Sequence, residues 1–269
     1  MRPLNLLQGA IAIFVCATLM DLFPEWREIV LAILIVWTYT GAGNSLNDYY
    51  DSEIDRINRP NRPIPSGLIK RSTALYYSVI LFIIGSLLSV FIFSIDVLIV
   101  LIIAMFFLIT YSRFFKPSPL WGNVVVSLIL GMAFIFGSVI FKDIYKGIPP
   151  ALLAFGFTLI RELIKDMQDI EGDRSVGANT FPIKYGLVTS KHLVTIMILV
   201  LMTGAFSPFF LSIYGKYYLV TLVLTVEIPL LFVIFSIQRD HSSKNCSRLS
   251  SILKGDIFFG LLAIYLGKF

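Results

Sequence analysis

The sequence predicts an all-α, polytopic membrane protein, and three observations predict it. Of its 269 residues 57% are hydrophobic and only 14% are charged, with a mean hydropathy of +0.84, outside the range of a water-soluble domain. The apolar residues run in unbroken stretches long enough to cross about 30 Å of hydrocarbon. The remaining charges gather between those stretches. Backbone groups in lipid must be satisfied within their own segment, and continuous apolar runs select helices rather than barrel strands.

Nine spans are expected, near residues 4–20, 27–46, 73–94, 97–111, 120–141, 148–165, 190–213, 217–237 and 250–267, forming a single transmembrane domain over 1–269. The first follows Arg2 and has no small-x-small cleavage site before Asp21 and Pro24, so it reads as a retained helix rather than a signal peptide. The second runs into Asn44, Asn47 and a cluster of acids. The fourth ends at Tyr-Ser-Arg-Phe-Phe-Lys, 111–116, and the sixth ends in a second acidic cluster. The eighth carries Glu227 two residues before Pro229, an intramembrane acid and so a functional hypothesis by default. Near the ninth, Asp256 is expected to pair with Lys254. Cys16 lies inside a span and Cys246 in a distant polar segment, which makes no case for a disulfide or a thiolate metal site.

With nine spans, the N-terminus and the loops after spans two, four, six and eight share one side. That side holds fourteen of the 22 lysines and arginines, among them Arg2, Arg62, Arg113 and Lys116, against five on the other. The positive-inside rule assigns it to the cytoplasm, which predicts a multi-pass protein of the cell membrane with a cytoplasmic polar cap. This placement accounts for the net charge of +5, and no nucleic-acid partner is expected.

The acids are more informative. Asp48, Asp51, Glu53 and Asp55 follow span two, and Asp166, Asp169, Glu171 and Asp173 follow span six, together eight of the 17 acids. Asp48, Asp51 and Asp55 are spaced i, i+3, i+7, as are Asp166, Asp169 and Asp173, which lines three carboxylates along one helix face. Such neighbours repel by about 0.2–0.5 kcal/mol per pair, more at a low-dielectric boundary. A compensating cation is therefore expected. Mg²⁺ fits the spacing, because it takes one or two protein carboxylates and completes its shell with water and phosphate oxygens. Zinc or iron would call for a His or Cys cluster that the chain lacks. A solvated charge run is the competing reading, and the second stripe at equal spacing weighs against it. Glu53 and Glu171 fall off the stripes. Gly172 weakens a helix by about 1 kcal/mol relative to Ala, so the second stripe is expected to unwind there and present Asp173 from a loop.

Asn-Asp-Tyr-Tyr-Asp-Ser-Glu-Ile-Asp (47–55) with its continuation Arg-Ile-Asn-Arg-Pro-Asn-Arg-Pro-Ile-Pro-Ser-Gly, together with Asp-Met-Gln-Asp-Ile-Glu-Gly-Asp (166–173), resembles the paired aspartate-rich motifs of the UbiA superfamily of intramembrane prenyltransferases. The likeness extends over nearly the whole chain, including Arg-Pro-Leu-Asn at residues 2–5. The short length, the Arg-Pro-Asn-Arg-Pro-Ile-Pro-Ser-Gly run and Lys-Asp-Met-Gln-Asp-Ile-Glu-Gly-Asp most resemble the archaeal digeranylgeranylglyceryl phosphate synthases. The resemblance implies a helical bundle around a central cavity. It implies metal binding by Asn47, Asp48, Asp51 and Asp55 of the first motif, Asp48 standing where the family varies, and by Asp166, Asp169 and Asp173 of the second. Two Mg²⁺ would act with the diphosphate. Asp51, Asp55, Asp169, Asp173 and Lys116 would be catalytic. Arg62, Arg113 and Lys116 resemble diphosphate-binding bases, Arg2 and Asn5 match an N-terminal Arg-x-x-Asn, and Lys165 matches a lysine preceding the second motif.

The implied reaction is transfer of a geranylgeranyl group from geranylgeranyl diphosphate to geranylgeranylglyceryl phosphate in a lipid environment. A phosphorylated acceptor needs positive charge beyond the diphosphate clamp, for which Arg2, Arg161 and Lys165 are candidates, with Glu162 or Asp166 as competing partners of the last two. An aromatic acceptor of a quinone, haem or chlorin pathway is the alternative within the superfamily. Two other classes use membrane aspartates. A CDP-alcohol phosphotransferase needs Asp-Gly and Ala-Arg after its first acids, where residues 48–60 read differently. A cation transporter would favour charges at midplane, where Glu227 stands as the deep exception.

Overall fold

The computed structural model describes residues 3–269 other than Pro117 and Val176, and at Asn58 the backbone alone; Arg2 lies outside the described residues. Among these residues the regular structure is entirely helical. The apolar runs become α1 (Pro3–Leu19), α2 (Trp26–Tyr50), α4 (Arg71–Val90), α5 (Ile95–Thr110), α6 (Trp121–Ile140), α7 (Ile144–Gln168), α10 (Leu187–Ala205), α12 (Lys216–Leu222), α13 (Ile228–Arg239) and α14 (Ser243–Leu266), and short helices α3 (Ser52–Asn58), α8 (Ile170–Ser175), α9 (Phe181–Tyr185) and α11 (Ser207–Phe210) lie between them. A π-helical turn, Tyr111–Phe115, continues α5, and another, Val223–Glu227, joins α12 to α13. Eight continuous helical segments of the described chain are long and apolar enough to span a bilayer. The protein is a multi-pass membrane protein. The first expected span, α1, has 17 residues, about 25 Å at 1.5 Å per residue, and falls short of the eight.

The ninth expected span begins seven residues early. Ser242 accepts a hydrogen bond from the Asn245 amide (3.3 Å), so α14 starts at Ser243 and carries a polar first turn. A capped polar turn extends a helix beyond its apolar run.

The chain divides into two compact units, Met1–Lys116 with Met132–Ile148, and Pro117–Gly131 with Pro149–Phe269. In the first, α2 packs against α1, α4 and α5. Ala32, Ile35, Tyr39, Ala42 and Leu46 recur at spacings of three and four, forming one buried face of α2 against Leu81 and Phe82 of α4 and Val97 and Leu101 of α5. Gly85 lets α4 approach closely: a Cβ there would sit 2.8 Å from the Tyr39 ring. Ser78 donates to the Ala42 carbonyl oxygen (2.9 Å) and Tyr39 pairs with Ser86 (3.0 Å), so polar groups of these spans are satisfied between helices.

In the second unit α14 packs against α12 and α13, and α13 against α10. The fully buried Tyr218 donates to the Ala205 carbonyl (2.7 Å), and Gln238 donates to Thr195 (2.8 Å). At the start of α14, Ser243 donates to the Gln168 carbonyl at the end of α7 (2.7 Å), which fixes that end of α7.

Candidate active site

The first motif is built by a nearly unbroken helix. Asp51 stands between α2 and α3, yet the Asp51, Asp55 and Arg59 amides donate to the Asn47, Asp51 and Asp55 carbonyls at 2.8 Å each, so the α pitch persists. The expected face of Asp48, Asp51 and Asp55 therefore holds. Asp51 and Asp55 are buried at 8% and 5% exposure, and each is matched to a cation. Lys116 donates to Asp51 Oδ2, and Arg62 donates to Asp55 Oδ2 at 2.5 Å while lying 3.7 Å from Asp48. Burial makes these pairs necessary, because an uncompensated carboxylate here would cost several kcal/mol.

The π-helical turn supplies the partners from α5. Lys116 N–H reaches back to the Tyr111 carbonyl (3.1 Å), the i to i−5 bond of that turn. Ser112, one turn before Lys116, is buried and lies 2.6 Å from Asn47 Oδ1. Two contacts, Ser112 with Asn47 and Lys116 with Asp51, thus step along both helices four residues at a time. Arg113 is exposed and stacks over Phe114 at 5.0 Å; of the two basic residues in this segment, Lys116 is the one bonded to the motif. Arg71 donates to the Tyr49 carbonyl (2.9 Å) and stacks on its ring, bracing the motif from α4. Glu53 is exposed and pairs with Arg56. Asn5 lies half-buried in the first turns of α1.

The second motif belongs to the other unit and is built in the same way. Asp169 N–H donates to the Lys165 carbonyl (2.9 Å) and Asp173 N–H to the Asp169 carbonyl (3.0 Å), so α7 continues through Asp169 into α8. The expected unwinding at Gly172 does not occur. Gly172 and Asp173 are buried within α8, and packing outweighs the local propensity cost. Asp166 accepts from Asn123 Nδ2 (2.9 Å), and Asn123, on α6, is itself buried. One turn back, Glu162 accepts from both Arg161 (3.0 Å) and Lys165 (2.7 Å), so the acid competing for these cations is Glu162.

Sequence reasoning passed over Ser112 and Asn123. Each is a polar residue just inside the end of an apolar span, and that position was the available signal. Among the described residues the expected pairing of Asp256 with Lys254 is not made through a hydrogen bond: both Asp256 carboxylate oxygens are buried without a hydrogen-bond partner. The geometric reason is that residues two apart point to different helix faces. Among the described residues no group of three or more His, Cys, Asp or Glu converges on one point.

Comparison with known proteins places this geometry in context. The digeranylgeranylglyceryl phosphate synthase of Methanosphaera stadtmanae is 37% identical over 269 residues, covering 99% of this chain and 97% of that protein. The solved structure presented as structural and mechanistic insights into the biosynthesis of digeranylgeranylglyceryl phosphate synthase in membranes is 31% identical, with a TM-score of 0.76 over 98% of this chain and 92% of that chain. The structure of a UbiA homolog from Archaeoglobus fulgidus bound to GPP and Mg²⁺ is 17% identical, with a TM-score of 0.74 over 98% of this chain and 97% of that chain, and shares the fold. The sequence model described as UbiA prenyltransferase family matches residues 10–261, and the chain belongs to the UbiA prenyltransferase family.

Proposed function

We propose that this chain transfers a geranylgeranyl group from geranylgeranyl diphosphate to geranylgeranylglyceryl phosphate, forming digeranylgeranylglyceryl phosphate. The observation carrying this reading is full-length similarity to proteins of that activity in a chain that holds both aspartate motifs. Asn47, Asp48, Asp51 and Asp55 of one motif and Asp166, Asp169 and Asp173 of the other are the proposed Mg²⁺ ligands. Their carboxylate and amide oxygens are hard donors that suit this ion, which needs few protein ligands when phosphate and water complete its shell. Bound Mg²⁺ supplies Lewis-acid stabilisation of the charge that builds on the departing diphosphate.

The side chains do the rest. Lys116 and Arg62 hold the Asp51 and Asp55 carboxylates, and they are the cations that a diphosphate would compete for. As the C1–O bond breaks, these two cations are the groups proposed to stabilise the developing negative charge. The allylic carbon is then attacked by the acceptor hydroxyl, whose proton passes to the departing diphosphate, and apolar spans keep water from intercepting the cation. Arg161 and Lys165, which share the single carboxylate of Glu162, carry one positive charge in excess and are the proposed anchor for the acceptor phosphate, with Asn5 and Arg2 supporting substrate binding. The proposed setting is the cell membrane with the polar cap facing the cytoplasm, supported by the fourteen-to-five distribution of basic residues.

The test is product formation by purified protein given Mg²⁺, geranylgeranyl diphosphate and a panel of acceptors. Release of diphosphate with geranylgeranylglyceryl phosphate supports the assignment; turnover only with an aromatic acceptor overturns it.

A further inference from the structure

Apart from both motifs, the second unit contains two buried acids whose carboxylate oxygens accept no hydrogen bond from the described residues. Glu227 lies near the middle of the span Lys216–Arg239, and Asp256 near the middle of Ser243–Leu266. They are 5% and 3% exposed, and none of their four carboxylate oxygens has a hydrogen-bond partner among the described residues. The π-helical turn that carries Glu227 packs against α14, which carries Asp256, and the two carboxyls act electrostatically on one another. Tyr218 is also within electrostatic range of Glu227, but its hydroxyl proton is given to the Ala205 carbonyl. Lys254 makes no hydrogen bond to Asp256.

Two features of the backbone point the same way. π-Helical turns inside α-helices occur frequently at functional sites. Pro229 follows Glu227 by two residues and has no N–H, so one carbonyl in the turn holding Glu227, at Leu224 or Thr225 according to local pitch, loses its helical donor. A carbonyl of the turn that carries Glu227, freed of its helical donor, and two carboxylates that accept no hydrogen bond are all oxygen donors, the kind that hard cations select. Left ionised and empty-handed, the two acids would each cost several kcal/mol and would repel one another.

We propose that Glu227 and Asp256 form an intramembrane binding site for a hard metal cation, completed by a backbone carbonyl of the π-helical turn. The site is separate from the aspartate motifs and gives a chemical reason for keeping two acids where apolar side chains would pack at no electrostatic cost.

The experiment uses full-length protein in detergent, in a D51A/D169A background that removes motif ligands. Thermal unfolding is followed while Ca²⁺, Na⁺ or K⁺ replaces choline at constant ionic strength. A saturating rise in Tm of about 5 °C at a hundredfold excess over Kd is expected for at least one of these cations, and it should vanish in E227Q and in D256N. A Tm insensitive to all three cations, or a rise that survives both substitutions, overturns the proposal. Should one variant fail to fold, equilibrium dialysis of the background protein and of the other variant against radioactive ⁴⁵Ca²⁺, ²²Na⁺ and ⁸⁶Rb⁺ decides: one cation bound per chain in the background and lost in that variant supports the site, and none bound, or one retained, overturns it. Because the background lacks turnover, a negative result here leaves the prenyl-transfer reading standing.

Discussion

Ser112 Oγ lies 2.6 Å from Asn47 Oδ1 and 2.8 Å from the Leu108 carbonyl oxygen, and the hydroxyl has one proton for the two. If that proton goes to Leu108, Ser112 accepts from the Asn47 amide group, and the Asn47 carbonyl oxygen is turned outward as a ligand. Asn and Gln amide orientation is set by such networks, and partners of metal ligands are worth about 10–100-fold in metal affinity or activity. S112A is expected to raise the Mg²⁺ concentration for half-maximal activity by about tenfold with Tm nearly unchanged. An unchanged Mg²⁺ titration would remove Ser112 from the site.

Asn123 stands in the same relation to Asp166, at 2.9 Å. N123L removes the donor at similar volume, and it should weaken Mg²⁺ activation by about 10–100-fold while the KM for geranylgeranyl diphosphate at saturating Mg²⁺ moves little. Equal losses in both would mark Asn123 as a packing residue.

D51A and D169A should each lower turnover by about 10³-fold or more, which corresponds to about 4 kcal/mol of transition-state stabilisation. The folded state should persist by size-exclusion profile and helical circular dichroism. EDTA should silence the wild-type protein and excess Mg²⁺ should restore it. Activity persisting in chelator would require a metal-free route.

The dephosphorylated acceptor alcohol should be a much poorer substrate, and R161M should narrow the gap between the two acceptors by raising KM for the phosphorylated one alone. R161M is chosen because Arg161 shares Glu162 with Lys165, so the remaining pair stays neutral.

Gly85→Ala is a test of the fold. The added Cβ would meet two Tyr39 ring carbons at 2.8 Å, and overpacking of this kind costs about 1–3 kcal/mol, read as a Tm several degrees lower. Gly260→Ala, where an added Cβ meets nothing within 4 Å beyond its own helix backbone, is the matched control and should be neutral or slightly stabilising.

The spans and both acidic faces were legible because hydrophobic runs and i, i+3, i+7 spacing are local properties of the chain. Ser112 and Asn123 were not, since their importance lies in contacts with residues 65 and 43 positions away. Asp173 was misjudged for a related reason. Gly172 lowers helix propensity locally, but the burial of both residues in α8 is a tertiary effect. Asp256 and Lys254 stand two apart, a spacing that does not share a helix face, and Asp256 accepts no hydrogen bond from the described residues.

The π-helical turn at Tyr111–Phe115 sets the angular phase of everything that follows it on that helix. Each residue of an α-helix advances the chain by about 100°. At α pitch with every residue kept, Phe115 would stand where Lys116 now meets Asp51. The turn thus behaves as a one-residue insertion, and a homologue lacking one residue within 113–115 would return to α pitch there with its base still opposite the same carboxylate.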